Sequence, residues 1–377
     1  MLASTTVMKR WTILAMALLC AAPACKDDKG GDGAETEEGS GSSGDSGLNH
    51  PDNDAGVVKL AKAAMKCEWK RDALAHDCED YKAWNKSEDL DDGKNDATLL
   101  NMLEDGDKVV RFLAAKALQN NSTKWPSDKK AGEKVLAAAK KEKEKEISDL
   151  MGRVTGEIDV GKTGLDGDIK KLLADSKNQD VRKGIVSSVL FNNQTEGGFY
   201  DLLQKVARED GNKDVRKAAA AAFWVGGSKR HDDTCKLWLE LADDADTDIA
   251  GHSTYHASWW SHGGGCTEQW DALLDTIEKR GKAGKIQSTF TTSALGWLQQ
   301  QPKASTAQKD RALKIAEMIA GTPGNSSSAR GDALRKVGEY SPQANTVAAK
   351  FKDDKEFFVK STAERILEGK VDKKQRK

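Results

Sequence analysis

Two histidines four residues apart, His252 and His256, share one helix face, a spacing that could bring two imidazoles onto one metal ion. His231 and His262 flank them, which places four of the six histidines in one region. A metal-binding or enzymatic reading attaches to that region, 231–262. The competing reading is structural. His256 falls almost on the buried stripe of its helix and His252 beside it, so a hydrogen-bonded interior pair is expected, with no metal and no cofactor.

Two other motifs suggest ligand chemistry. Gly156-Glu157-Ile158-Asp159-Val160-Gly161-Lys162-Thr163 fits the phosphate-cradling pattern G-x4-G-K-T letter for letter. That chemistry needs a buried strand leading into the loop, and here a charged helical stretch precedes it. Glu157 and Asp159 inside the loop would repel phosphate, so a plain connection between helices is expected, and no nucleotide. Asp244-x-Asp246-x-Asp248 opens like a calcium loop. Ile249 stands where that loop needs glycine, and Tyr255 where it needs a glutamate. The three acids are expected to cap the following helix. No Ser/His/Asp or Cys/His arrangement has supporting context, so the chain is not expected to be an enzyme.

Aromatic residues give a binding surface rather than a reaction. Six of the ten tryptophans lie between positions 224 and 297. By helical phase, Trp260 and Trp297 return to the buried stripe and are expected in the core. Trp224 faces nearly opposite the stripe and Trp259 lies to one side of it. Together with His252 and Tyr255 they form the candidate protein-binding face, since exposed aromatics are typical interface anchors.

These residues are positioned by repeated helices. Apolar or small residues recur at 0, +4 and +8, on one helix face. The sets are Val110/Ala114/Leu118, Val181/Ile185/Val189, Val215/Ala219/Phe223, Ile249/Ser253/Ala257, Ile286/Phe290/Ala294, Ala329/Ala333/Val337 and Val359/Ala363/Leu367. A second apolar helix precedes the sets, joined by acidic or glycine-bearing turns such as Asp105-Gly106-Asp107. The first two sets are about two periods apart, so a degenerate unit is expected between them.

Asp107-Lys108-Val109-Val110-Arg111, Asp180-Val181-Arg182 and Asp214-Val215-Arg216 share a turn-ending Asp and a helix-opening Val-Arg. The basic position recurs as Arg330 and Lys360, and departs at Ala250 and Gln287. In this the chain resembles HEAT repeats over roughly residues 96–370. The resemblance implies an all-α solenoid of about seven to eight helix-turn-helix repeats. Its second helices would line a concave surface that binds protein. Residues 55–95 are expected to form an N-terminal helical cap, 128–150 a charged solvated helix, and 371–377 a basic tail frayed over 373–377.

The chain has 377 residues, a net charge of -1, 38% hydrophobic residues and 34 glycines, a folded and soluble composition. Near-neutral charge argues against a nucleic-acid binder. Six prolines and 6% aromatics argue against a turn-rich β fold.

Residues 1–24 read as an export signal, with Lys9-Arg10 followed by an apolar run too short to span a bilayer. Ala22-Pro23-Ala24-Cys25 then resembles the lipobox of bacterial lipoproteins, with Ala22 where a larger aliphatic is commoner. That resemblance implies lipid attachment at Cys25 and anchoring in the cell envelope, with the outer membrane expected. A secreted or soluble periplasmic protein is the alternative. Residues 25–54 carry Gly, Ser and acids with little to bury and are expected to be a disordered tether. Cys67, Cys78, Cys235 and Cys266 remain, an even number that suits an oxidising compartment. Of three possible pairings, Cys67–Cys78 and Cys235–Cys266 are favoured because each pair is close in sequence. The functional expectation is a lipid-anchored scaffold for a protein partner, and a purely structural envelope lipoprotein is its rival.

Overall fold

The computed structural model describes residues 47–70, 73–90, 93–120, 125–194, 196–226, 230–259 and 265–375. Residues 1–46, on which the expected export signal, Cys25 and most of the expected tether fall, lie outside the described residues, as do Trp260 and His262.

The described chain is built from paired helices. α1 (Ala55–Ala64), a short hairpin of β1 (Trp69–Lys70) and β2 (Ala73–Leu74), and α2 (Glu79–Asn85) precede the first pair. The pairs are α3 (Asp96–Met102) with α4 (Lys108–Asn120), and α5 (Lys129–Lys141) with α6 (Lys145–Gly156). After the single turn α7 (Val160–Thr163) come α8 (Asp166–Asp175) with α9 (Gln179–Ser188), and α10 (Phe199–Glu209) with α11 (Lys213–Gly226). Next are α12 (His231–Leu241) with α13 (Thr247–Trp259), and α14 (Trp270–Lys282) with α15 (Thr289–Gln300). The last are α16 (Thr306–Gly321) with α17 (Ser327–Tyr340), and α18 (Ala344–Ala349) with α19 (Phe357–Leu367). Each second helix packs on the second helix of the next pair, from α4 through to α19. This is an all-α, HEAT-like solenoid of eight pairs.

The repeated stripes are its core. Val110, Ala114, Leu118, Val181, Ile185, Val189, Val215, Ala219 and Phe223 are all fully buried at 0% exposure. Two members of the pattern are not. Leu367 is 40% exposed at the end of α19, the last described helix. Phe290 is half-buried, because its helix begins only at Thr289 and Ile286 lies in the turn before it.

The Asp and Val-Arg signature has a direct physical meaning. At the end of the first helix an Asp accepts the backbone N–H two residues on: Asp107 to Asp105, Asn212 to Asp210, Asp246 to Asp244 and Glu356 to Asp354. In three of these turns the next side chain, Asp107, Asn212 or Asp246, caps the second helix by accepting from Val109, Val215 or Ile249 N–H. The other Asp oxygen takes an arginine from the preceding unit. Arg182 pairs with Asp210, Arg216 with Asp244 and Arg330 with Asp354, while Arg111 pairs with Glu142 in the same way. Asp105 in the first pair has no preceding repeat, and its free oxygen accepts Leu48 N–H at 2.9 Å instead. Gln287, which breaks the pattern, still bridges two units by donating to the Gly324 carbonyl at 3.0 Å.

Three expectations are corrected. The tether does not extend to residue 54. Leu48 is buried, Asp54 N–H donates to Thr98 and the Asp54 carboxylate caps α1, so 47–54 is ordered against the first pair. Residues 128–150 are not one solvated helix. They break at Glu142, whose carboxylate is 2% exposed and held by Arg111 and by the N–H groups of Lys143 and Glu144. The two resulting helices, α5 and α6, are the degenerate unit, with Val135, Leu136, Ile147 and Met151 in the core. The tail is not frayed as far as Lys374, which donates its N–H to the Glu339 carbonyl at 2.8 Å and pairs with the Glu339 carboxylate.

Cys67 pairs with Cys78 and Cys235 with Cys266, the two pairings expected from sequence proximity. Two disulfides suit an oxidising compartment. No helix among the described residues is long and apolar enough to cross a membrane.

Candidate aromatic docking site

The second helices α11, α13 and α15 lie side by side, and their half-buried aromatic residues meet across the seams. Trp224 on α11 stacks on Trp259 of α13, with centroids 6.2 Å apart and planes at 20°. Trp259 continues to Trp297 of α15 at 5.1 Å. Tyr255, one turn earlier on α13, lies 5.8 Å from Trp259 and 5.5 Å from Phe290. His252 lies against Phe290 at 4.0 Å. The four residues named from sequence, Trp224, His252, Tyr255 and Trp259, therefore belong to one continuous strip across three repeat units. All four are half-buried, so each ring keeps an edge or face toward solvent.

Trp297 and Phe290 are members of the strip that sequence phase missed. Phase counted from Ile286 places both on the buried stripe, but α15 starts after Ser288, whose side chain accepts Phe290 N–H. Counted from that cap, the buried face is Thr291, Ala294, Leu295 and Leu298. The capping serine was the available signal.

The histidines stack rather than converge. His252 and His256 lie 6.4 Å apart with planes at 30°, and the His256 ring lies on Trp238 at 5.3 Å. The expected hydrogen-bonded pair is thus corrected, because His256 Nδ1 is buried without a hydrogen-bond partner. Burial holds His252 down at about 4, with Lys217 adding to the effect. Burial likewise holds His256 down at about 3, with His252 adding. Both rings are neutral at physiological pH. His231 stands apart, with Nε2 3.2 Å from the Gly265 carbonyl beside the Cys235–Cys266 bridge. No group of three or more His, Cys, Asp or Glu able to hold a metal occurs among the described residues.

The other motifs are used structurally. Gly156 ends α6, and Asp159 caps α7 and pairs with Lys162 at 2.9 Å, so the G-x4-G-K-T stretch forms no phosphate loop. Asp244 is taken by Arg216, while Asp246 caps α13.

No protein-family profile and no curated protein matches this sequence. Among solved structures, the chain is similar to that of YibA from E. coli, at 15% identity and a TM-score of 0.44, over 80% of this chain and 99% of that one. It is also similar to an engineered protein, at 16% identity and a TM-score of 0.23, over 74% of this chain and 98% of that one. The fold assignment therefore stands on this chain's own helix pairs and their arginine ladder.

Proposed function

We propose that this chain is an exported member of the HEAT-like class that docks a protein partner along the Trp224, Trp259, Trp297 strip. A lipid on Cys25 would hold it at the bacterial envelope. The observation that carries the reading is the strip itself. Five half-buried aromatic rings from three successive units form one run. Tryptophan and tyrosine supply large contact area at low conformational cost and dominate binding energy where they are found at interfaces. The neighbouring disulfide and the arginine ladder make the surface rigid, so little ordering is needed on binding.

The test is capture of crosslinked envelope proteins by the wild type and by a Trp224→Ala/Trp259→Ala variant of equal thermal stability. A partner held near stoichiometrically by the wild type and lost from the variant supports the reading. Equal capture by both removes it. Mass analysis of the N-terminal peptide decides the anchor, because a lipidated Cys25 carries a thioether-linked diacylglyceryl group.

A further inference from the structure

Beyond Trp297, α15, α17 and the C-terminal tail line an open pocket of about 190 Å³ formed by Ser293, Gly296, Trp297, Gln300, Lys336, Tyr340 and Lys374. It is smaller than the roughly 300–1,000 Å³ of a small-molecule site. It has room for the end of a chain, with one wall made by an indole.

The charges around it do not balance. Glu339 pairs with Arg335 and, at 3.2 Å, with Lys374. Asp332 pairs with Arg335 and accepts from Thr292 Oγ1 at 2.6 Å. Two carboxylates thus face three cations, and Lys336 holds the longest ion pair among them. Its side chain is only 10% exposed, yet Nζ lies 3.8 Å from Glu339 Oε2, too far for a hydrogen bond. With one long ion pair and no hydrogen bond among the described residues, this ammonium has donors to spare. Gly296 keeps it in place, since a Cβ there would sit 2.9 Å from Lys336 Cδ and 3.3 Å from Nζ. Tyr340 is set up as a donor. Gln300 Nε2 donates to its oxygen at 2.6 Å, which leaves the phenolic proton to give away. The tail closes this end of the strip. Lys374 N–H and Lys373 Nζ bond the carbonyls of Glu339 and Gly338, each at 2.8 Å, across the end of α17.

We propose that this cavity receives the C-terminal carboxylate of a partner peptide lying on the aromatic strip. One oxygen takes Lys336 Nζ and the other the Tyr340 hydroxyl, with the last side chain against Trp297. Charge-assisted contacts of this kind are strong and end-specific. Burial holds the Lys336 pKa below the ordinary lysine range, and a bound carboxylate adds a hydrogen-bonded counter-charge to the long pair with Glu339. The inference rests on the docking reading and adds the chemistry of what docks.

The probe is a random octapeptide library with free carboxyl termini, selected on the purified protein lacking its export signal. Winning sequences are remade as free acids and as C-terminal amides, and affinities are read by fluorescence polarisation. The acid should bind at least about tenfold tighter than the amide. Lys336→Met should abolish that difference. Tyr340→Phe, which keeps the ring, should narrow it, and serves if the lysine variant does not fold. Acid and amide of equal affinity, with binding still lost in Trp259→Ala, would overturn this inference and leave the strip standing. Selection of an internal acidic residue in place of the free terminus would do the same. A library that enriches nothing on the wild type would overturn both.

Discussion

Gly184 lies where α9 crosses α6 with backbone against backbone. A Cβ at Gly184 would sit 2.1 Å from the Asp149 carbonyl oxygen and 2.7 Å from Arg153 N. Across the crossing, one at Gly152 would sit 2.2 Å from the Val181 carbonyl oxygen. These neighbours are helix backbone and cannot swing aside as a flexible side chain would. Ordinary contact lies near about 3.5 Å, so Gly184→Ala must push the helices apart by about 1 Å or more. Two effects then oppose each other. Alanine improves helix propensity over glycine by about 1 kcal/mol. Overpacking a tight site costs about 1–3 kcal/mol and occasionally more, and a contact bounded by backbone on both sides belongs at the upper end. A net loss of about 2 kcal/mol is expected. Because each unit touches mainly its neighbours, the loss falls on one interface. Urea unfolding followed by circular dichroism should show a lower midpoint and a transition that broadens or splits at the α6/α9 seam. Gly167→Ala is the control. Gly167 is helical with nothing within 4 Å of its would-be Cβ, so that variant should be as stable as the wild type or slightly more so. If Gly184→Ala matches Gly167→Ala, propensity outweighs packing and the close crossing is refuted.

Three further outcomes follow from the same physics. Arg330→Met leaves Asp354 buried without its partner, the two side chains being 7% and 14% exposed. Breaking such a pair costs about 3 kcal/mol, measurable as a lower urea midpoint. Reduction with dithiothreitol should lower Tm. On loop entropy the 31-residue separation of Cys235–Cys266 contributes about 4 kcal/mol, and the 11-residue separation of Cys67–Cys78 about 3 kcal/mol, so Cys235→Ala/Cys266→Ala should lower Tm further than the other double variant. Acid should destabilise the fold through the two stacked histidines. Above pH 6.5 they are neutral in the folded and unfolded chains alike and add no pH dependence. Below 6.5 the unfolded chain takes up protons that the folded chain refuses, with folded values of about 4 for His252 and about 3 for His256. Stability therefore falls from pH 6.5 down to about 3. His256→Gln should flatten that slope, and an unchanged slope would show that His256 is not buried as a neutral ring.

The repeat itself was legible in the residues. The 0, +4, +8 stripe and the Val-Arg openings at 110, 181 and 215 locate three second helices, because burying one face of a helix imposes its period on the sequence. The α5/α6 pair was not legible as a repeat. Its lysines and glutamates mask two short amphipathic faces, and the break between them is held by Glu142, which takes Arg111 from 31 residues away and the N–H groups of Lys143 and Glu144. Trp224, His252, Tyr255 and Trp259 were found by phase within their own helices. Trp297 and Phe290 were lost because a pattern counted through the turn at Ile286 shifts the register of the whole helix.

Local sequence thus determined which residues are helical, which face each helix buries and which cysteines lie near each other. Those properties depend on spacing of a few residues along one chain segment. Tertiary structure alone decided that rings from three helices form one strip, that His252 and His256 stack instead of sharing a ligand, and that three cations crowd two carboxylates around Lys336. The strip depends on distances between units about 35 to 40 residues apart in sequence, as does the contact of Thr292 with Asp332, and packing sets these where local periodicity cannot encode them.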